Sequence, residues 1–189
     1  DYSCHGSSSG DFFEATISEW LADVGHIISE NVTGDFYLCG SSMGAWISLL
    51  TALEFGDRVK GMVTIAAATD MTEKFIWERC GEEQHRLLEE QGYFSWDSPY
   101  DDDPYVLTKK LIEDGRTHLL LNDEIPIDCP VRLLHGTGDH EIVWTNSLET
   151  LERLRSKDTN LKLFKDADHR LSEPEHIREI IRALKSVLL

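Results

Sequence analysis

Gly40-Ser41-Ser42-Met43-Gly44 restricts this chain more than any other stretch, because of what stands on either side of it. Phe36-Tyr37-Leu38-Cys39 is a short apolar and aromatic run, which reads as a buried strand. Ala45-Trp46-Ile47-Ser48-Leu49-Leu50-Thr51-Ala52-Leu53 is apolar on nearly every side, the pattern of a buried helix. A strand that turns sharply into a helix at G-x-S-x-G leaves its central serine exposed at the strand's carboxyl end. Glycines flank it because side chains there would collide with the turn. The backbone N–H of Met43, at the mouth of the helix, then points where an oxyanion would form. Ser42 is therefore a candidate nucleophile. Ordinary turns produce the same five residues, so the reading depends on an acid and a histidine further along.

A serine hydroxyl is a poor nucleophile near neutral pH and needs a positioned base to take its proton. Histidine suits that task, and a buried carboxylate fixes its tautomer and stabilises the transient imidazolium. Where the serine sits on a strand-to-helix turn, the chain order is Ser, then Asp or Glu, then His. Val131-Arg132-Leu133-Leu134-His135 reads as a strand running into Gly136-Thr137-Gly138-Asp139, and Glu141 is a rival acid two positions on. Leu161-Lys162-Leu163-Phe164 reads as a short strand followed by Asp166-Ala167-Asp168-His169. A helix is expected from Ser172-Glu173-Pro174-Glu175, with Ser172 and Glu175 at capping-box spacing. Its apolar stripe is Ile177, Ile180, Ile181, Leu184, Val187 and Leu188. Ser42, Asp139 and His169 fit the order and the elements. His5, His26, His85, His118, His140 and His176 lack a strand-end context. His135 opens an H-G-x-G run that mimics an oxyanion loop, but such a loop precedes the nucleophile, so His135 reads as a strand end. Asp166 and Asp168 read as solvated neighbours of the base.

Three segments carry a family resemblance: Gly40–Gly44, Ile125-Pro126-Ile127-Asp128-Cys129-Pro130-Val131-Arg132-Leu133-Leu134-His135-Gly136, and Asp168-His169-Arg170-Leu171-Ser172. They resemble the α/β-hydrolase family that contains a mitochondrial palmitoyl-protein thioesterase, also active on acyl glucuronides, and many bacterial relatives. The likeness runs over essentially the whole chain, including Asp1-Tyr2-Ser3 with Gly6 and Ser8, and Leu111-Ile112-Glu113-Asp114-Gly115-Arg116. It implies an α/β-hydrolase fold, a mostly parallel doubly wound sheet with a helical cap. It further implies Ser42 as nucleophile, Asp139 as acid and His169 as base, with no cofactor. The implied substrate is a thioester or carboxylic ester, on a small molecule or an acylated protein, as in depalmitoylation. Three positions depart from the family pattern: Val143 where proline is frequent before the residue matching Trp144, Ala45 in place of a second glycine, and Cys4 where glycine is usual.

Residues 1–68 and 129–189 read as the hydrolase core, and 69–128 as a helical cap inserted between two strands. Asp1 falls in a loop that similar proteins place after several strands. Only four good sheet strands are evident: Phe36–Cys39, Val59–Ile65, Val131–His135 and Leu161–Phe164. The expectation is a carboxyl-terminal piece of a longer hydrolase, without the early strands and the loop that gives a second oxyanion N–H. Such a piece would expose the edge of Phe36–Cys39 and be nearly inactive alone, since one oxyanion donor is worth about 100- to 1,000-fold in turnover. A first helix is marked by Phe13, Ile17, Trp20, Leu21, Val24, Ile27 and Ile28. Ala66-Ala67-Ala68 suit a crowded strand end beneath a site. In the cap, Asp103-Pro104 is expected to begin a helix and Gly115 to end one, with Asp101-Asp102-Asp103 a solvated turn. Trp77, Phe94, Trp96, Tyr100 and Tyr105 are candidates for an apolar lid or for packing of the cap.

Acidic residues number 35 against 18 basic, a formal charge of −17. That argues against nucleic acid or an anionic membrane as partner, since both need basic patches. No apolar run approaches the length of a membrane span, so stable insertion is not expected. Cys4, Cys39, Cys80 and Cys129 have no metal-ligand spacing and read as thiols in a reducing, cytoplasmic or mitochondrial compartment. Cys39 reads as a core residue. The rival readings are a carboxylesterase or peptidase-like hydrolase of other substrate, and a non-catalytic binding protein on the same fold.

Overall fold

The computed structural model describes residues 1–96 and 104–188. Tyr100 and the Asp101-Asp102-Asp103 turn, both named above, lie outside the described residues. The chain divides into two compact units: Asp1–His26 with Asp70–His118, and Ile27–Thr69 with Leu119–Leu189.

The second unit holds a parallel four-stranded sheet. Strand β1 (Phe36–Ser41) leads into helix α2 (Met43–Phe55), which follows helix α1 (Ile17–Asn31) in the chain. Strand β2 (Val59–Ile65) comes next; the two strands β3 (Tyr93–Trp96) and β4 (Tyr105–Thr108) belong to the first unit. Strands β5 (Val131–Gly136) and β6 (Thr159–Phe164) complete the sheet, in the order β1-β2-β5-β6. The central strands β2 and β5 are buried along nearly all their length, while β1 and β6 alternate between half-buried and exposed. Parallel strands covered on both faces carry such continuous apolar runs, and edge strands need not.

Strand alternation splits the core into two layers. Met62 and Leu133 face Leu49 and Ala52 of α2, with Leu154 at the end of helix α5 (Thr145–Arg153). Their neighbours Val63 and Leu134 face the other way, against Leu171 and Val187, the latter on helix α6 (Pro174–Val187). Helix α2 is buried from Ala45 through Ala52 on every face, as its sequence requires. Ala66, Ala67 and Ala68 are fully buried just past β2.

Several details differ from expectation. Cys39 is exposed rather than a core residue, because β1 is an edge strand here and Tyr37 and Cys39 share its open face. Helix α6 starts at Pro174 with Glu173 at its N-cap and no side-chain cap, so the Ser172–Glu175 capping box does not form. Proline supplies the fixed φ of a first helical turn, which is enough to start it there. Of the α6 stripe, Val187 is buried, whereas Ile177, Ile181 and Leu188 are exposed. In the first helix, Phe13 precedes the first turn and Ile27 is exposed.

The first unit contains helices α3 (Glu82–Gln91) and α4 (Lys109–Gly115) and the antiparallel pair β3–β4. No helix begins at Pro104: β4 follows it, and α4 starts after Thr108, whose hydroxyl accepts the Leu111 N–H at 3.0 Å. The buried Thr108 hydroxyl caps the helix start directly, which outweighs the proline signal. Gly115 does end α4, and a Cβ there would lie 2.2 Å from Thr72 Oγ1. Phe94 is buried with Ile76, Leu88 and Ile112, and Trp77 and Trp96 pack on that cluster; these aromatics form the unit's own core. Tyr105 is exposed.

Cys4 adopts φ 65°, in the left-handed region that favours glycine. A side chain there costs about 1–2 kcal/mol, partly offset by the greater unfolded-state freedom of glycine. Cys4→Gly should therefore raise the thermal unfolding midpoint by a few degrees, read by calorimetry.

Candidate active site

β1 ends at Ser41 and α2 begins at Met43, so Ser42 alone makes the turn between them. Its backbone sits at φ 53°, ψ −122°, a strained conformation for a residue with a side chain. Two contacts hold it there. The Ser42 N–H donates to Ile65 O at 2.8 Å, and the Ala68 N–H donates to Ser42 O at 3.2 Å, so the end of β2 stitches the turn down. Gly40 is required on the other side, since a Cβ would lie 2.2 Å from Gly44 O. Met43 is the first residue of α2, so its N–H is one of the helix's unsatisfied donors.

The acid and base loops leave neighbouring parallel strands and are clamped together. The Thr137 N–H donates to Phe164 O at 2.8 Å, the Gly138 N–H to Ala167 O at 3.0 Å, and the Asp166 N–H to Thr137 Oγ1 at 2.8 Å. The approach is close enough to demand glycine: a Cβ on Gly136 would stand 2.1 Å from Ala167 O. Asp139 and His169 are thereby brought together from positions thirty residues apart.

His169 lies between the other two groups. Its Nδ1 is 2.7 Å from Asp139 Oδ2, and its Nε2 is 3.0 Å from Ser42 Oγ. With Asp139 ionised, Nδ1 carries the hydrogen and Nε2 accepts from the serine hydroxyl. Asp139 is 5 % exposed, and Oδ1 accepts the Glu141 and Ile142 N–H groups, each at 2.9 Å. Glu141, the rival acid, thus meets Asp139 through its backbone N–H. Burial alone would raise the Asp139 pKa, but hydrogen bonds from His135, His169 and Ile142 bring it well below the usual carboxylate range. Burial would likewise lower the His169 pKa, yet the Asp139 hydrogen bond and charge, with Glu141 and Asp168, raise it above its ordinary value.

One participant was not evident in the sequence. His135 closes β5 as expected, but its Nε2 also reaches Asp139 Oδ2 at 3.0 Å and its Nδ1 reaches Ser147 Oγ at 2.7 Å. The available signal was a histidine four residues before an acid, inside a strand too apolar to leave it unpaired. Other histidines find other partners: His85 stacks on Trp77, His118 reaches Ser18 Oγ, and His176 packs against Phe164. A groove lined by Asp57, Lys60, Asp128 and Arg155 lies at the amino ends of β2 and β5, the end away from Ser42. Open α/β sheets bind ligands at the carboxyl ends, where Ser42 stands. Among the described residues, no cluster of His, Cys, Asp and Glu is placed to hold a metal ion.

The sequence profile of the prolyl oligopeptidase family matches residues 8–186. The chain belongs to the prolyl oligopeptidase family. Its fold is the α/β-hydrolase fold, shared across the whole chain with two solved relatives. One, from Agrobacterium vitis S4, is 36 % identical with a TM-score of 0.96, and this chain covers 75 % of it. The other is mouse α/β hydrolase domain-containing protein 10, at 32 % identity and TM-score 0.89, again with 75 % of that chain covered. The mitochondrial palmitoyl-protein thioesterase of Homo sapiens is 33 % identical over 190 aligned residues, all of this chain. This prolyl oligopeptidase family member spans 61 % of that relative's length.

The raised His169 pKa sets the direction of a pH profile. Only the neutral ring accepts the serine proton, and a pKa raised above about 6.5 keeps the ring charged to a higher pH. If His169 serves Ser42 as base, hydrolytic kcat/KM should therefore rise with pH through an apparent pKa above about 6.5. Rates already level below that pH would contradict the assignment.

Proposed function

We propose that the protein is a serine hydrolase that cleaves thioester or carboxylic ester bonds through an acyl-serine intermediate. The observation that carries this reading is the continuous run of hydrogen bonds Asp139–His169–Ser42, at 2.7 and 3.0 Å. Ser42 Oγ attacks the acyl carbonyl carbon as its proton passes to His169 Nε2. Asp139 holds the resulting imidazolium, and the Met43 N–H donates to the oxyanion. Collapse of the tetrahedral intermediate expels the thiolate or alkoxide, which takes the proton from Nε2. Water then attacks the acyl-serine, giving its proton to Nε2, and the carboxylic acid leaves as Ser42 is reprotonated.

Thioesters suit this machinery, because a thiol of pKa about 8.5 departs with little help from a general acid. The name of the human relative, a palmitoyl-protein thioesterase, supports a long acyl chain on a thiol as substrate, on a small molecule or an acylated protein. The family name supports a second reading, hydrolysis of a peptide-like amide on the same serine. Residues 69–128, which lie between β2 and β5 in the chain, are proposed as a helical cap, with 1–68 and 129–189 as the hydrolase core. Four free cysteines and the mitochondrial designation of the relatives support a cytoplasmic or mitochondrial location. Among the described residues, no helix is long and apolar enough to cross a membrane.

A fluorophosphonate probe should label Ser42, and Ser42→Ala should abolish both labelling and turnover. Asp139→Asn, which allows the wrong tautomer, should lower kcat by about 10⁴-fold. Comparing a palmitoyl thioester with the matching oxygen ester and anilide separates the thioesterase reading from the peptidase one. Turnover that survives Ser42→Ala would refute both.

A further inference from the structure

His135 is fully buried at the end of β5, and nothing in the acyl-transfer steps calls on it. Replacing it by an apolar residue would close the strand without a polar group to satisfy. Its surroundings explain why a histidine stands there. Nε2 lies 3.0 Å from Asp139 Oδ2 and 3.0 Å from Ile142 O. A carboxylate and a carbonyl only accept, so Nε2 bears the hydrogen and shares it between them. In the neutral ring Nδ1 is then bare, and Ser147 Oγ–H donates to it at 2.7 Å. Ser147 thereby fixes the tautomer that points an N–H at Asp139.

The count of donors around Asp139 gives this contact its weight. Oδ1 accepts two backbone N–H groups, from Glu141 and Ile142. Oδ2 accepts two ring N–H groups, from His135 and His169. An ionised carboxylate offers about four lone-pair sites, so all of them are occupied. The carboxylate can neither rotate nor take up the His169 proton without breaking one of these bonds.

We propose that His135 is a positioning residue for the reaction: backed by Ser147, it pins Asp139 Oδ2 so that one fixed oxygen faces His169 throughout the catalytic cycle. The inference rests on the serine-hydrolase reading above. The first turn of α5 supplies the anchor. Beside Ser147, the Asn146 side chain accepts the Thr69 N–H at 3.0 Å and donates to Thr69 O at 3.1 Å, so this turn is itself tied to Thr69 by two hydrogen bonds. Burial pushes the Asp139 carboxyl upward, and the His135 hydrogen bond is the largest of the contributions that overcome it.

The consequence for His169 has a definite sign. While His135 donates to Oδ2, part of that oxygen's charge is drawn away from the His169 ring. Without that donor the carboxylate holds the His169 imidazolium more tightly, and the acid limb of kcat/KM moves to higher pH. The other charges that act on His169 are Glu141 on the acid loop and Asp168 on its own loop, and neither is altered by changing His135. A purely structural role would change stability and leave that limb in place.

The test uses p-nitrophenyl acetate hydrolysis by the full-length protein, with fluorophosphonate labelling of Ser42 in parallel. His135→Leu should lower kcat about 10- to 100-fold, the worth of a hydrogen bond to a charged group, with KM within about twofold. Its acid limb should lie at higher pH than wild type. His135→Gln, which returns an N–H near the Nε2 position, should restore most of both. An unmoved limb in His135→Leu would overturn the proposal whatever its kcat, as would a His135→Gln no better than His135→Leu. Wild-type protein that the probe leaves unlabelled overturns the hydrolase reading together with this one; labelled protein with an unmoved limb overturns this one alone. If His135→Leu does not fold, ring ¹H–¹⁵N spectra of the wild-type protein decide. A proton on His135 Nε2 is the expected result, and a bare Nε2 refutes the contact.

Discussion

A carboxylate buried to 5 % exposure is the constraint around which the candidate site is arranged. Left unpaired, an ion in that position would cost several kcal/mol, so the fold must deliver donors to it from several directions. It does so with two backbone N–H groups of the acid loop, one imidazole from β5 and one from the loop after β6. Each delivery depends on a different part of the sheet. Adjacent parallel strands β5 and β6 end side by side, and glycines at 136 and 138 let their loops touch backbone to backbone.

The serine side is built by a different principle. Ser42 is held in a strained turn by hydrogen bonds from the end of β2 and by the close packing that Gly40 permits. Strain of this kind persists only where surrounding structure over-determines it. Helix α2, buried on every face from Ala45 to Ala52, gives that rigidity. The three candidate residues thus rest on three strand ends of one sheet, and the sheet fixes their spacing before any substrate arrives.

Much of this was legible in the chain because the signals are local. Strands β1, β2, β5 and β6 each show an apolar run bounded by turn residues, and Ser42, Asp139 and His169 follow such runs in the required order. What escaped was non-local or finely balanced. The β3–β4 pair is short, and its partner strand begins just after a proline that suggested a helix. Helix α6 starts one residue later than a capping box would place it, because Pro174 and extended backbone at Glu173 suffice. Cys39 looked like core because its neighbours are apolar, yet burial of an edge strand is decided by what lies beside it. The second imidazole on Asp139 could not be read from spacing alone, since only the bend after β5 turns the two side chains toward each other.

The saturation of Asp139 also bears on how protons move in the proposed reaction. A carboxylate with every lone pair engaged has nowhere to accept a hydrogen, so it keeps its negative charge from the first bond-making event to the last. Protons pass only through His169 Nε2, first from the Ser42 hydroxyl to the leaving group and later from water to Ser42. The site is wired for one-proton traffic, with the acid serving as a fixed electrode beside a single moving charge.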